Sequence, residues 1–407
     1  MQILFVHQNF PAQFRHLAPA VAARDGHAVH ALGLHFPQGQ WMGVHVHHYA
    51  CDASAARPVH PWLGEVAPKL LRAEAGWQAA RQLRAQGLMP ELIYAHPGWG
   101  DSLFLREVWP QARLRLYCEY HYPLAGGELD FDPEFAANMP DLAIRMRLRN
   151  LSNTLSFEQA EAGLAPTHWQ AQQFPESFRS RIQVIHDGID SMRYRPRADV
   201  ALAIPGLGTL TRADEVITFV ARTLEPYRGY HSFMRSLPAL LAARPRAQVL
   251  IVGADEGGYG PRPPSGQSWK QIFALEVLSA MPEADQRRIH FLGTLAPDAY
   301  LAVLQLSRVH VHLSYPFVLS WSLLEAMSCG CAVVASDTAP VRECIAAGEQ
   351  GLLVDFFDYA GLAQSVQTLL DDRAFADQLG ARARARVEAD YDLHRVCLPA
   401  QLEWLEN

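Results

Sequence analysis

Lysine is almost missing from this chain. Of 35 lysines and arginines only Lys69 and Lys270 are lysine, so arginine supplies nearly every cation. Schiff-base chemistry would have two candidate amines, one in an amphipathic stretch and one beside a loop. Neither stands at a strand end, which disfavours a pyridoxal phosphate enzyme. Long apolar runs are missing too, and nothing approaches the ~20 residues that span a bilayer. The opening MQILFVHQNF reads as a strand without a basic leader region or cleavage site, so no signal peptide is expected. A net charge of −7 and a pI near 6.2 leave no basic stripe for nucleic acid. The six cysteines, at 51, 118, 329, 331, 344 and 397, follow no framework spacing. Cys329 and Cys331 bracket Gly330 at a helix-to-strand turn and read as small buried residues rather than metal ligands. A reduced, cytoplasmic compartment is the expectation. The first strand-to-helix loop, HQNFPAQF, lacks G-x-G-x-x-G, which disfavours a dinucleotide enzyme.

What is present is two cores' worth of alternating strand and helix. At 407 residues and 49% hydrophobic content the chain exceeds one core. ILFVH, HAVHALGL, Val44–Tyr49, ELIYAH and RLRLYCEYHY read as strands. Helices are expected at Gln13–Ala23 and over LLRAEAGWQAARQLRAQG. That order means parallel strands with helical crossovers, an α/β fold. His45 and His47 share a strand face at period two, with His48 beside them. No carboxylate or cysteine stands at a spacing that would complete a metal site, so a half-exposed strand face is the expectation.

The richest stretch is VHVHLSYPFVLSWSLLEAMSCGCAVVAS, residues 309–336. Val309, Val311 and Leu313 alternate as in a strand, Leu323, Leu324 and Met327 recur as in a helix, and CAVVAS restarts a strand. A loop entering a helix at the carboxyl edge of a parallel sheet presents free amides and the positive helix end to an anion. Glu325, one turn inside and on the face of Trp321, can accept from vicinal hydroxyls. Upstream, VITFVARTLEPYRG is a strand that reaches Arg222 and turns to Arg228. Two guanidinium forks there suit phosphate oxygens.

At these residues the chain resembles the retaining glycosyltransferases of family 4, which have the GT-B architecture. Arg222 and Arg228 match the family's Arg and Lys flanking a short turn. Glu325 matches the second of the family's two glutamates. FLGTLAPDAYLAVL, SDTAPVRE and VIHDGID also look like family segments. The resemblance covers residues 180–390 well and the N-terminal half more loosely. It implies two Rossmann-like parallel-sheet domains facing across a cleft. The expected boundaries are 1–190 plus a crossover helix at 391–407 for the acceptor side, and 191–390 for the nucleotide-sugar side.

The implied chemistry is sugar transfer from a nucleoside diphosphate sugar to a glycan, lipid-linked or small-molecule acceptor, with retention and without a metal or other cofactor. Arg222, Arg228 and the amides at Leu319–Trp321 would stabilise the leaving diphosphate, and Glu325 would hold the ribose. His121, where RLRLYCEY runs out, would orient the sugar, with His96 as the alternative. The family's first glutamate would fall at 317, which is Phe317, so Ser320 and the PFVLSW backbone would take over sugar recognition. The family's glycine-bearing first loop faces donor or acceptor. Here it has no glycine, and Asn9 and Phe10 are its candidate contacts. GGELDFDPEF places four acids before a helix with Arg145 and Arg149 on one face. A solvated face is the expected reading. A patch for an anionic acceptor or lipid headgroups is the alternative, and would put the protein at the inner face of the cell membrane. Residues 254–268 read as a Gly/Pro-rich loop near the site. The rival readings are a catalytically inactive nucleotide- or glycan-binding module of the same fold, a GT-B phosphorylase, and a sugar-nucleotide epimerase whose acid and base carboxylates are not found.

Overall fold

Apolar strands separated by amphipathic helices build two parallel sheets in the computed structural model, which describes residues 1–57, 59–136, 139–204 and 206–407. The first sheet contains β1 (Gln2–Val6), β2 (Ala28–Gly33), β3 (Gly39–Trp41), β4 (Val44–His48), β5 (Leu92–Ala95), β6 (Arg113–Tyr117), β7 (Ala162–Ala165) and β8 (Ile182–Val184). Their order is β3-β4-β2-β1-β5-β6-β7-β8, and only the edge strand β3 runs antiparallel. An antiparallel hairpin, β9 (Ala201–Ile204) and β10 (Gly208–Thr211), precedes the second sheet. That sheet holds β11 (Val216–Thr223), β12 (Gln248–Ala254), β13 (Ile289–Gly293), β14 (Val309–His312), β15 (Ala332–Ser336) and β16 (Leu352–Val354), ordered β13-β12-β11-β14-β15-β16 and all parallel. No helix among the described residues is long and apolar enough to cross a membrane.

Burial on both faces explains where the alternation in the sequence misleads. β14 reads as half exposed, yet all four of its residues are buried. His310 meets the Thr218 hydroxyl at 2.9 Å, and burial lowers its pKa to about 4. Cys329 and Cys331 lie in the core packed around this sheet. The helix expected at Gln13–Ala23 is a short 3-10 turn, Ala12–Phe14, followed by a helix over Leu17–Ala22.

The chain forms two compact units: Met1–Ala125 with Ala137–Asp187 and Cys397–Asn407, and Gly126–Ala136 with Gly188–Val396. The acidic segment at 126–136 therefore belongs with the second half of the chain, whereas the sequence reading kept it with the first. Two of its four acids, Asp132 and Glu134, are held by side chains of the second unit. Asp132 Oδ2 accepts from His231 Nε2 at 2.9 Å and from the Tyr315 hydroxyl at 2.5 Å, with both partners buried. Glu134 takes both terminal nitrogens of Arg235, at 2.7 and 3.0 Å. Phe131 and Phe135 anchor the segment on either side, against Phe357 and Trp269 among others. Asp132, Glu134 and His231 stand close enough to suggest a cation site, but Arg235 already pairs with Glu134 and the Tyr315 hydroxyl already donates to Asp132. Two arginines of the next helix, Leu142–Arg149, are also engaged. Arg145 pairs with Asp141 and Arg149 lies over the Tyr122 ring. The last helix, Leu398–Glu406, buries Leu402, Trp404 and Leu405 in the core of the first unit.

The histidine row has a member that period-two spacing does not disclose. Parallel pairing of β2 with β4 sets His30 opposite His45, and the His30 ring lies against both His45 and His47. Partial burial and two imidazole neighbours lower His30 to about 4, and partial burial with the His45 imidazole lowers His47.

Candidate functional site

In the second unit, β11 carries Arg222 out to solvent and delivers the chain to the 3-10 turn Pro226–Arg228. Arg222 Nη1 donates to the Tyr259 hydroxyl at 3.1 Å. Arg228 is buried, donates to the Val318 carbonyl at 3.1 Å and stacks over Phe317 at 5.6 Å. Both guanidinium carbons lie 5.9 Å from the Tyr259 ring centre. Two forks thus converge on one aromatic ring, an arrangement that favours an anion between them.

Tyr259 belongs to the Gly/Pro-rich loop, and a buried carboxylate holds it there. Glu225 accepts from the amides of Tyr259 and Gly260, each at 2.9 Å through Oε2. Burial raises the Glu225 pKa, while those amides and the two arginines pull the other way. Gly258 makes the close approach feasible. It sits at φ +123°, and a Cβ there would lie 2.4 Å from Glu225 Oε2. Glu225, Tyr259 and Tyr300 are residues that the sequence pattern alone does not single out, although Glu225 lies between the two arginines.

The helix expected after PFVLSW runs from Trp321 to Ser328. Ser320 stands at its N-cap without a side-chain capping bond, and its hydroxyl meets that of Ser322 at 2.8 Å. Leu319 is buried in the core and can offer only backbone to a ligand, while Trp321 packs partly buried against the same core. Glu325 is buried, and its Oε2 accepts from the Tyr300 hydroxyl at 2.5 Å. Phe317 is 2% exposed, held between Tyr227 and Tyr259. Arg222, Arg228 and Phe317 thus meet around Tyr259, and Glu325 has Tyr300 as its own partner.

In the first unit the polar residues gather where β1, β5 and β6 end. His96 Nδ1 accepts from the Gly98 amide at 3.1 Å, so Nε2 carries the proton and donates to Glu119 Oε2 at 3.2 Å. Gln13 Nε2 donates to Glu119 Oε1 at 2.6 Å. The His7 ring lies 5.0 Å from that of His96, and burial drives its pKa well below the usual value. β6 stops at Tyr117, earlier than the apolar run suggests, so Glu119 rather than His121 follows the strand end. His121 packs on Phe174, and burial lowers it to about 4. Asn9 is exposed. Phe10 is not available to an acceptor, because its ring is 2% exposed and packs on Phe36 and Trp41. Lys69 donates to the Arg149 carbonyl and the Ser152 hydroxyl, with its pKa lowered by burial to about 8, and Lys270 pairs with Asp255.

Two family models match the chain. Residues 25–193 match the glycosyl transferase family 4 group, and residues 209–386 match the glycosyl transferases group 1. The D-inositol 3-phosphate glycosyltransferase of Rhodococcus opacus is 31% identical over 212 residues, 51% of this chain and 44% of the relative. The glycogen synthase of Mycobacterium tuberculosis is 28% identical over 222 residues, 53% of this chain and 46% of the relative. These matches span less than half the length of either relative. Among solved structures, the sucrose-phosphate synthase of Thermosynechococcus elongatus superposes with a TM-score of 0.73 at 20% identity, covering 100% of this chain and 98% of the other. Anabaena HepE in complex with UDP and glucose gives 0.70 at 19% identity, covering 100% and 99%. Those likenesses establish the GT-B fold across the chain. With related models matching both halves, the chain belongs to the family 4 glycosyltransferases.

Proposed function

We propose that the protein transfers a sugar from a nucleoside diphosphate sugar, with UDP as the first nucleotide to test, to a glycan, lipid-linked or small-molecule acceptor with retention of anomeric configuration. The observation that carries this reading is the convergence of Arg222 and Arg228 on one ring beside the 317–320 loop. Breaking the sugar–phosphate bond puts negative charge on the leaving diphosphate. Fixed guanidiniums and helix amides favour that state over the ground state. The leaving group needs no protein proton donor, and its departing oxygen can take the acceptor's proton. Glu325 would accept from ribose hydroxyls. His121, with His96 as the alternative, would orient the transferred sugar.

A panel of uridine, guanosine, adenosine and cytidine diphosphates, read by melting shift, tests the nucleotide. Release of diphosphate from the matching sugar donor tests turnover. Stabilisation by a nucleotide with no released diphosphate would favour the second reading, an inactive binding module, which the packed Phe317 in place of a carboxylate motivates.

Glu325→Gln should weaken ribonucleotide binding, and the wild type should bind 2′-deoxy and 3′-deoxy analogues poorly. Equal binding of ribo and deoxy forms by the wild type would remove Glu325 from the ribose site. Phe317→Glu should abolish activity on the native donor, because it puts a carboxylate beneath Tyr259 and beside Arg228. An unchanged rate and donor preference would reduce Phe317 to packing.

A further inference from the structure

We propose that His30, His47 and His45 form a binding site for a borderline divalent transition-metal ion (Zn2+, Ni2+ or Cu2+) on a sheet face of the first unit. Parallel register brings the three together. His30 on β2 pairs with His45 on β4, and Leu32 with His47, so the imidazoles project from one face of two adjacent strands. His30 Nδ1 and His47 Nε2 face each other at 3.0 Å, with the rings 12° from coplanar and their centres 5.3 Å apart. That is a head-to-head pair sharing one proton. A tetrahedral ion with bonds of about 2.0–2.1 Å holds its ligand nitrogens about 3.3 Å apart. Replacing the shared proton by the ion therefore takes a parting of a few tenths of an ångström and a turn of the rings that brings both lone pairs to the ion.

His45 lies on the other side of His30, ring centres 5.1 Å apart, and is exposed, so a rotation of its side chain brings a third nitrogen to the pair. Gln40 on β3 lies 2.7 Å from His45 Nδ1. With its amide turned over, Gln40 accepts from Nδ1–H and leaves the Nε2 lone pair for the ion, the outer-shell arrangement usual for metal-bound histidine. Imidazole nitrogens select Zn2+, Ni2+ and Cu2+ over Mg2+ and Ca2+, which take oxygen ligands. The three residues occupy the face of β2 and β4 rather than the carboxyl ends of the strands. Loading the site should pin β4 to β2 without taking part in sugar transfer.

The test is calorimetric titration of the whole protein, freed of metal by chelator, with ZnCl2 and NiCl2, and with MgCl2 for contrast. One equivalent of Zn2+ or Ni2+ should bind with micromolar affinity, and Mg2+ should not bind. Affinity should fall at least tenfold in His30→Gln and in His47→Gln. It should persist in His48→Ala, a histidine of the same strand on the opposite face. Bound Co2+ should show the intense visible absorption of a tetrahedral site, lost in the same two variants. Far-UV circular dichroism distinguishes a lost site from a lost fold. Absence of Zn2+ and Ni2+ binding by the wild type, or unchanged affinity in the folded His30→Gln/His47→Gln double variant, overturns the proposal.

Discussion

Replacing Arg228 by alanine should weaken nucleoside diphosphate binding about 10- to 150-fold, the equivalent of losing one charge-assisted hydrogen bond worth about 1.5–3 kcal/mol. Arg228 is buried and fixed by the Val318 carbonyl and the Phe317 ring, so its fork is already aimed and loses little rotational freedom on binding. Arg222→Ala should cost less, since Arg222 is exposed and donates to the Tyr259 hydroxyl rather than to a backbone carbonyl. The two arginines share Tyr259, so their effects should not add, and the double variant measures the coupling. Turnover should fall further than affinity if the clamp serves the departing diphosphate. Calorimetry with the preferred nucleoside diphosphate, beside a melting curve for each variant, decides the matter. Unchanged affinity in both single variants would remove the phosphate clamp.

The second large effect concerns stability. Gly229→Ala should lower the melting temperature by on the order of 10 °C, taking 2–4 °C per kcal/mol for a unit of this size. Gly229 follows Arg228 at φ +68°, and a Cβ there would lie 2.2 Å from Leu313 Cβ and 3.0 Å from the Phe356 ring. The left-handed backbone costs a non-glycine residue about 1–2 kcal/mol. Forcing a methyl into packed side chains adds about 1–3 kcal/mol. Because the same turn aims Arg228, nucleotide affinity should fall with stability. Gly258→Ala is the contrasting variant. Its backbone, at φ +123°, is also unfavourable for alanine, but its methyl would meet only the Glu225 carboxylate rather than packed apolar side chains, so it should loosen the Tyr259 loop and lower melting less than Gly229→Ala does. Equal melting of wild type and Gly229→Ala would mean that the turn relaxes at no cost.

The parts of the site legible in the sequence are those built from one continuous stretch. Arg222 and Arg228 flank a single turn, and the helix at 321–328 follows directly on its strand, so local periodicity and charge suffice to find them. Glu225 and Tyr259 are 34 positions apart and meet through backbone amides, which no side-chain pattern announces. His30 and His45 meet through the register of two parallel strands, and a period-two reading of one strand sees only half of the row. Asp132 misleads for a physical reason. Acid-rich loops ordinarily face water, and only partners about a hundred residues or more away, His231 and Tyr315, bury this one carboxylate. The run RLRLYCEY places His121 at a strand end in the sequence, whereas the strand stops four residues earlier, at Tyr117.

The ion-paired segment at 126–136 bears on how such chains can be recombined. Continuous stretches of the two units alternate along the polypeptide, so the backbone passes from one to the other four times, near 125, 136, 187 and 396. A chimera that takes everything after residue 187 from a relative inherits His231, Tyr315 and Arg235 from one parent and Asp132 and Glu134 from the other. If the relative lacks matching groups, the buried Asp132 carboxylate loses its histidine and tyrosine donors and Glu134 loses its arginine, at about 1–3 kcal/mol for each unsatisfied group. The transplantable cassette is therefore discontinuous: exchanging the second unit between family members should succeed when the eleven residues 126–136 travel with it.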